Sequence, residues 1–280
     1  MKLRFLYICL ALALLVGLSF GDTDFGQSNI GTDTTWNRSG SPYYVHGDVA
    51  ILNGATLTIQ AGVEVKFYEV KGTGGYEDGA EIVVRNGALV AEGSEGLPVK
   101  FTSANSVKKM GDWGAIVVES QNQIILNNAV VEYATNGVRF YRTGVNGSSR
   151  SSFEGTVIRN CLNNGVLVDR SHVNLYHVSI ENNGENGIKA LAGTSTVTVN
   201  YSDICSNGMY NFYNGSSSNV DATNCWWGTT YPGRINVWLY DYNDNRSVGE
   251  VDYTPFLSQR WKDAGSVATY SMGFVKSIFR

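Results

Sequence analysis

The chain has 280 residues, only 16% of them charged, and a formal charge of −4 at pH 7. Disordered chains carry more charge and fewer aromatics, whereas this one has 32 Gly and 16 Tyr, the composition of a folded, turn-rich protein. A mildly acidic balance leaves no electrostatic footprint for nucleic acid, so no nucleic-acid partner is expected.

The first predicted element is a leader. Lys2 and Arg4 precede an apolar run from Phe5 to Leu18, and Ser19-Phe20-Gly21 follows as a cleavage region. This pattern predicts a secretory signal peptide over 1–21 and a protein that is secreted, periplasmic or on the cell surface. Removing Lys2 and Arg4 with it takes the formal charge from −4 to near −6. No later run is long enough to span a membrane. Residues 22–40 are polar and rich in Gly, Thr and Ser, and read as an exposed lead-in.

From Tyr43 onward apolar residues alternate with polar ones. Leu57 and Ile59, Val63 to Phe67, Ile82 and Val84, Leu89 and Ala91, and Val99 and Phe101 form short runs. Asn53-Gly54, Ala61-Gly62, Asn86-Gly87 and Glu95-Gly96 stand between them as corners, which is the signal of short strands. No stretch holds a helical period. The second half repeats a phrase: Val157-Ile158-Arg159-Asn160 then Asn164-Gly165-Val166, Ser179-Ile180-Glu181-Asn182 then Asn186-Gly187-Ile188, and Asp203-Ile204-Cys205-Ser206 then Asn207-Gly208-Met209. A period in the low twenties predicts an all-β solenoid in which each copy is one coil.

Stacked coils pair each strand in parallel with its equivalent one coil on. Ile158, Ile180 and Ile204 then form one inward column, and Val166 and Ile188 another. Asn160 and Asn182 are expected to stack as a corner ladder, with Ser206 or Asn207 in third place. About nine or ten coils fit between Trp36 and Phe256. Insertions near 71–78 and 142–152 are expected to bulge outward as loops. The parallel β-helix is placed at 41–258 with terminal caps, one around Trp36 to Ala50. The other lies at 226–261, where Trp226, Trp227, Trp238 and Trp261 break the period. Residues 259–280 form a C-terminal extension without pattern.

Cys9 lies in the leader, so the mature chain keeps Cys161, Cys205 and Cys225, an odd number that excludes a full disulfide framework. Buried thiols are the plain expectation. A single Cys205–Cys225 bridge stays open, and a catalytic thiol lacks a paired His among the scattered His46, His172 and His177.

Gly54-Ala55-Thr56-Leu57-Thr58-Ile59 running into Gly62-Val63-Glu64-Val65-Lys66-Phe67, with Gly111-Asp112-Trp113-Gly114-Ala115-Ile116, resembles secreted bacterial right-handed parallel β-helix proteins of pectate-lyase-like fold. Asn224-Cys225-Trp226-Trp227-Gly228 and Val251-Asp252-Tyr253-Thr254-Pro255-Phe256-Leu257 extend the resemblance over 36–258. Members often close the helix with Asn-Trp-Trp-Gly, which Cys225 interrupts here. The resemblance implies a right-handed coil, but no single activity, since lyases, hydrolases and adhesins share this fold.

Lyases of that kind hold calcium on several stacked carboxylates beside an Arg or Lys base. Aligning the isoleucine column puts Arg159 beside Glu181 and Ser179 beside Asp203. Aligning Val166 with Ile188 puts Leu167 beside Lys189. No face collects three acids, and Arg159 with Glu181 reads as a surface ion pair across coils. The paired-aspartate, Gly-His-Gly and Arg-Ile-Lys phrases of pectin hydrolases do not occur, so no catalytic residue is assigned. Calcium is the one cofactor left open: Asp241, Asn243, Asn245 and Asp252 place oxygens at nearly alternating positions, although Arg246 stands where such a loop wants Gly. Trp113, Trp226 and Trp227 are expected to pack in caps. Tyr141, Tyr210, Tyr213 and Tyr231 are the candidate carbohydrate contacts. Asn37, Asn146, Asn200, Asn214 and Asn245 open Asn-x-Ser sequons, relevant only in a host that glycosylates by that route. The function expected is a non-catalytic scaffold binding a polysaccharide or cell-surface glycan, with a polysaccharide lyase or glycoside hydrolase as the alternative.

Overall fold

The computed structural model describes residues 22–71, 75–119, 123–143 and 151–262. The expected leader over 1–21, the tail 263–280, and parts of both expected insertions, with Asn146, lie outside them. The strands are short and parallel. Each coil sends one strand to an eight-stranded sheet and one to a nine-stranded sheet. A third face is built from a five-stranded sheet followed by a four-stranded one. A short α-helix, Pro232–Val237, follows Tyr231. The chain is a parallel β-helix, and no described helix is long and apolar enough to cross a membrane.

The aliphatic columns set the stacking. Tyr43, Val65, Phe101, Val131, Ile158, Ile180 and Ile204 are register partners in the eight-stranded sheet, and all are buried. Val49, Ile82, Ile116, Val138, Val166, Ile188, Phe212 and Leu239 form the second column in the nine-stranded sheet. Because side chains alternate along a strand, an inward column dictates which residues stack outside it. The helix starts earlier than the lead-in reading implied. Thr23–Phe25, Ser28–Ile30 and Thr34–Trp36 already pair with the next coil, although only Ile30 and Trp36 among residues 22–40 are buried.

Asn-Gly has a packing reason. Asn136, Asn164 and Asn186 are buried, and the last two each pass an amide hydrogen to the Oδ1 one coil earlier, at 2.8 Å from Asn164 to Asn136 and 2.8 Å from Asn186 to Asn164. The glycine after each lies where the backbones of successive coils converge. A Cβ on Gly165 would stand 2.5 Å from Ile180 Cγ2 and 2.8 Å from Gly187 O, so only glycine fits. A second ladder runs one residue beyond Asn160 and Asn182 and includes Asn207, one of the two residues expected in third place. Asn183 Nδ2 donates to Asn207 Oδ1 (3.0 Å), and Asn183 Oδ1 accepts from the Cys161 amide (3.0 Å). Asn160, Asn182 and Ser206 instead take the left-handed corner itself, with φ of 54°, 57° and 60°.

Two contacts differ from expectation. Arg159 turns to Glu132 on the preceding coil (2.9 Å), and Glu181 is taken by Arg260 (2.6 Å). Trp113 is no cap: it lies inside the middle coils, stacked on Phe67 with ring centroids 4.0 Å apart and donating to Glu132 O. Trp227 is buried in the last coils beside Tyr253, while Trp226 is half-buried.

The thiols of Cys161, Cys205 and Cys225 are free and buried. Burial pushes Cys161 and Cys225 up to about 12. Cys205 differs, because Ile204 points inward and its neighbours Asp203 and Cys205 therefore point outward. They are only 1% and 2% exposed because the chain doubles back over them. The Leu257 amide bonds Cys225 O, Arg260 reaches Glu181 and Asp203, the Trp261 amide bonds Asp203 Oδ1, and the Trp261 ring stacks on His177.

Asn183→Ala, which strands the buried Cys161 amide, is expected to cost about 1–3 kcal/mol in urea unfolding, more than Asn182→Ala at the exposed corner. Arg260→Ala should free the strap and raise alkylation of Cys205 by roughly tenfold in site-resolved mass spectrometry. Cys161 and Cys225 should stay protected. Equal labelling of all three would mean that the strap is no independent unit.

Candidate functional site

The outer surface of the nine-stranded sheet gathers most of the chemistry. Its register sets Ala50, Val83, Val117, Arg139, Leu167, Lys189, Tyr213 and Tyr240 in one outward row. A second row holds Glu119, Tyr141 and Asp169. Residues 75–79 fold over the first coils of this face because Glu81 holds them there. Its Oε2 accepts from the Tyr76 amide (3.0 Å) and its Oε1 from the Glu77 amide (2.7 Å). Tyr76 thereby covers the small outward apolar group Val83, Ala115 and Val117.

Around Tyr76 the charges interlock. Its hydroxyl donates to Glu119, which also takes Nε (2.7 Å) and Nη2 (3.0 Å) of Arg85. Burial raises the Glu119 carboxyl, but the bonds from Arg85 and Tyr76 outweigh it and hold the group below its usual range. Burial, with help from Glu119, pushes the Tyr76 phenol up to about 12. Arg139 pairs with Glu77 at 2.8 Å and lies 5.0 Å from the Tyr76 ring centre. Glu81 has no exposed surface. Burial raises its carboxyl to about 7 against the two amide bonds, and Asp48 and Glu77 add repulsion.

The expected carbohydrate contacts divide. Tyr141 lies in this network, with Arg142, Arg170 and Arg139 at 5.1, 5.3 and 6.0 Å from its ring centre. Tyr213 stacks on Tyr240 at 4.3 Å with planes 3° apart, Lys189 sits 5.3 Å over its ring, and Tyr210 tilts against both. Both faces of Tyr213 are therefore taken, and the stack offers edges and hydroxyls rather than flat rings. Lys189, Tyr213 and Tyr240 border a hollow of about 390 Å³ that also includes Asn245 and Ser247. Tyr231 is 66% exposed and makes no ring contact with them.

Three of the four expected calcium residues are occupied by the turns they stand in, and Asn243 takes part through its amide. Asp241 accepts the amides of Asn243 (2.8 Å) and Val251 (3.0 Å), Asn245 Oδ1 accepts Ser247 N and Oγ, and Asp252 accepts Thr254 N and Oγ1. No group of three acid, His or Cys side chains suited to a metal occurs among the described residues. The sequons serve turns in the same way: Asn37, Asn214 and Asn245 accept the amide of the serine two residues on. His172 meets Thr196, and His177 meets Glu154 at 2.6 Å.

Sequence reasoning missed the Tyr76, Glu81, Arg85, Glu119 and Arg139 network. The signal was present: carrying the Val166 column back through Val138, Ile116 and Ile82 sets Arg85, Glu119, Tyr141 and Asp169 on one line.

Glu81 makes stability depend on pH. Its folded carboxyl, raised from 4.5 to about 7, keeps a proton that the unfolded chain releases. That contribution is therefore full below about 4.5 and is lost as pH rises through about 7. Urea unfolding at pH 5 and pH 8 should show wild type losing at most about 3 kcal/mol on going up. Glu81→Gln should flatten this difference.

Residues 28–151 match the family model described as "Pectate-lyase like beta helix domain". No curated protein matches the chain, and no solved structure does. The matched span begins within the first coil and ends in the coil that carries Tyr141, so it includes the whole Tyr76 network. The chain is thus a parallel β-helix protein whose residues 28–151 are similar to a pectate-lyase-like β-helix domain.

Proposed function

We propose that this is an exported, non-catalytic scaffold that binds a polysaccharide along the outer face of its nine-stranded sheet. The carrying observation is the in-register row of Arg139, Leu167, Lys189, Tyr213 and Tyr240. It sets cations and phenols on successive coils about 4.8 Å apart on a rigid surface. Such a row runs along the helix axis, so it suits an extended polymer better than a compact ligand. Lys189 and Arg142 have no carboxylate within ion-pair distance among the described residues, which leaves two cations for an anionic or hydroxyl-rich chain. The domain match supports a polysaccharide-related role, and the leader read over 1–21 supports export.

The carboxyls support binding over turnover. Glu81, the carboxyl raised furthest toward neutral pH, is sealed, and both its oxygens accept backbone amides. Glu119 and Asp169 are held by Arg85 and Arg170. A general acid or base must reach its substrate's proton, and these are spent on holding the face together. Calcium has no part in this reading.

Affinity electrophoresis against polygalacturonate, alginate and neutral glycans should retard the protein on at least one polymer, with or without a chelator. Lys189→Ala combined with Tyr213→Ala should weaken that binding by about tenfold, equivalent to 1.4 kcal/mol. Unsaturated products or new reducing ends after incubation would replace the scaffold with an enzyme.

A further inference from the structure

The same face carries a second feature near its N-terminal end, a cleft of about 410 Å³ over the first three coils. Ala50 and Val83, register partners on neighbouring strands, form a small apolar floor. Tyr76 packs against Val83 and forms a wall. Gln27, Asn29, Asp48 and Arg85 supply the polar rim. Several of these groups are unspent. Asp48 Oδ1 accepts the Glu81 amide (3.2 Å), while Oδ2 makes no hydrogen bond among the described residues. Arg85 commits Nε and Nη2 to Glu119, leaving Nη1. The amides of Gln27 and Asn29 lie on exposed residues without a side-chain partner.

An apolar floor, one aromatic wall and a few convergent donors and acceptors are what a small polar ligand needs. The charge selects among such ligands. Glu81 lies behind Asp48, so the cleft is backed by two carboxyls, and the positive charge of Arg85 is already matched by Glu119. A sugar bearing a carboxylate would face the Asp48 carboxylate with no free cation to meet it. A neutral pyranose would lay its C–H face on Ala50 beside the Tyr76 ring and its hydroxyls on Asp48 and Asn29.

We infer that this cleft is a subsite for a neutral pyranose unit, set apart from the cationic stretch at Arg142 and Lys189. It rests on the glycan-binding reading of the face and assigns that reading a sugar class. A polymer lying across both ends of the face would therefore be read as neutral at one and anionic or hydroxyl-rich at the other.

The test is calorimetric titration of the full chain with neutral hexoses and their short oligosaccharides, set against the matching hexuronates. Ala50→Trp fills the floor from the outside, and Asp48→Asn keeps the shape while removing the charge. Neutral sugar should bind wild type and lose affinity by about tenfold or more in Ala50→Trp. Asp48→Asn should narrow the preference for neutral sugar over uronate. Unchanged thermal transitions in Ala50→Trp show that the fold is kept, and Asn29→Ala, at an exposed position, repeats the test if they shift. Wild-type affinity in both cleft variants, or uronate bound as tightly as neutral sugar, overturns the subsite. Polymer binding without any mono- or oligosaccharide binding also overturns the subsite and leaves the face intact. Absence of polymer binding in wild type would remove the face reading itself.

Discussion

Everything on the surface of this protein follows from one constraint, the register between successive coils. A parallel strand can pair with its neighbour at several offsets, but only one buries the aliphatic column, and a slip of one residue turns every side chain to the opposite face. Tyr43 through Ile204 and Val49 through Leu239 hold that register on two sheets. The buried asparagines reinforce it because each needs an amide partner one coil away. An orphaned amide in the interior costs more than a made bond gains, so the ladders penalise misalignment more than they add to stability.

The polar face is organised by a different balance. Arg85, Arg139 and Arg170 each have a carboxylate, and the loop over the first coils is tied down by a carboxyl inside the fold rather than by apolar packing alone. The carboxylates of these pairs are largely buried, so desolvation offsets much of the attraction and the net gain from each is small. Their geometric effect is larger. They fix Tyr76, Tyr141 and their guanidinium neighbours in one arrangement, so a ligand would meet groups already oriented and lose less freedom on binding.

The second half of the chain was legible because its repeat is explicit. Ile158, Ile180 and Ile204 share a column as the Asn-Gly phrase implied, and Leu167 sits beside Lys189. What the letters could not show was which of two adjacent asparagines turns inward. Asn182 and Asn183 are chemically identical, and only the left-handed φ of the first sends the second into the core. Long side chains were misjudged for a related reason. Arg159 is level with Glu181, yet its guanidinium reaches back to Glu132 because Arg260, far away in sequence, takes Glu181. The first half has no such repeat, so its outward row was not assembled from sequence. The loop that brings Tyr76 onto it is irregular and has no periodic signature. Pectate-lyase-like motifs pointed correctly to the fold and said little about chemistry, since their residues are mostly corners and core.

The spacing of 22 residues from Ile158 to Ile180 and 24 from Ile180 to Ile204 has an evolutionary corollary. A coil touches only its two neighbours, so duplication of one whole copy would slot in without repacking the interior. It would also add one rung to the exterior row. Extra residues at a corner are absorbed as loops, as between the register partners Val65 and Phe101, whereas a gain or loss inside a strand would turn its side chains to the opposite face. Such a protein can therefore lengthen or shorten its outer face in discrete steps while leaving each existing contact where it was.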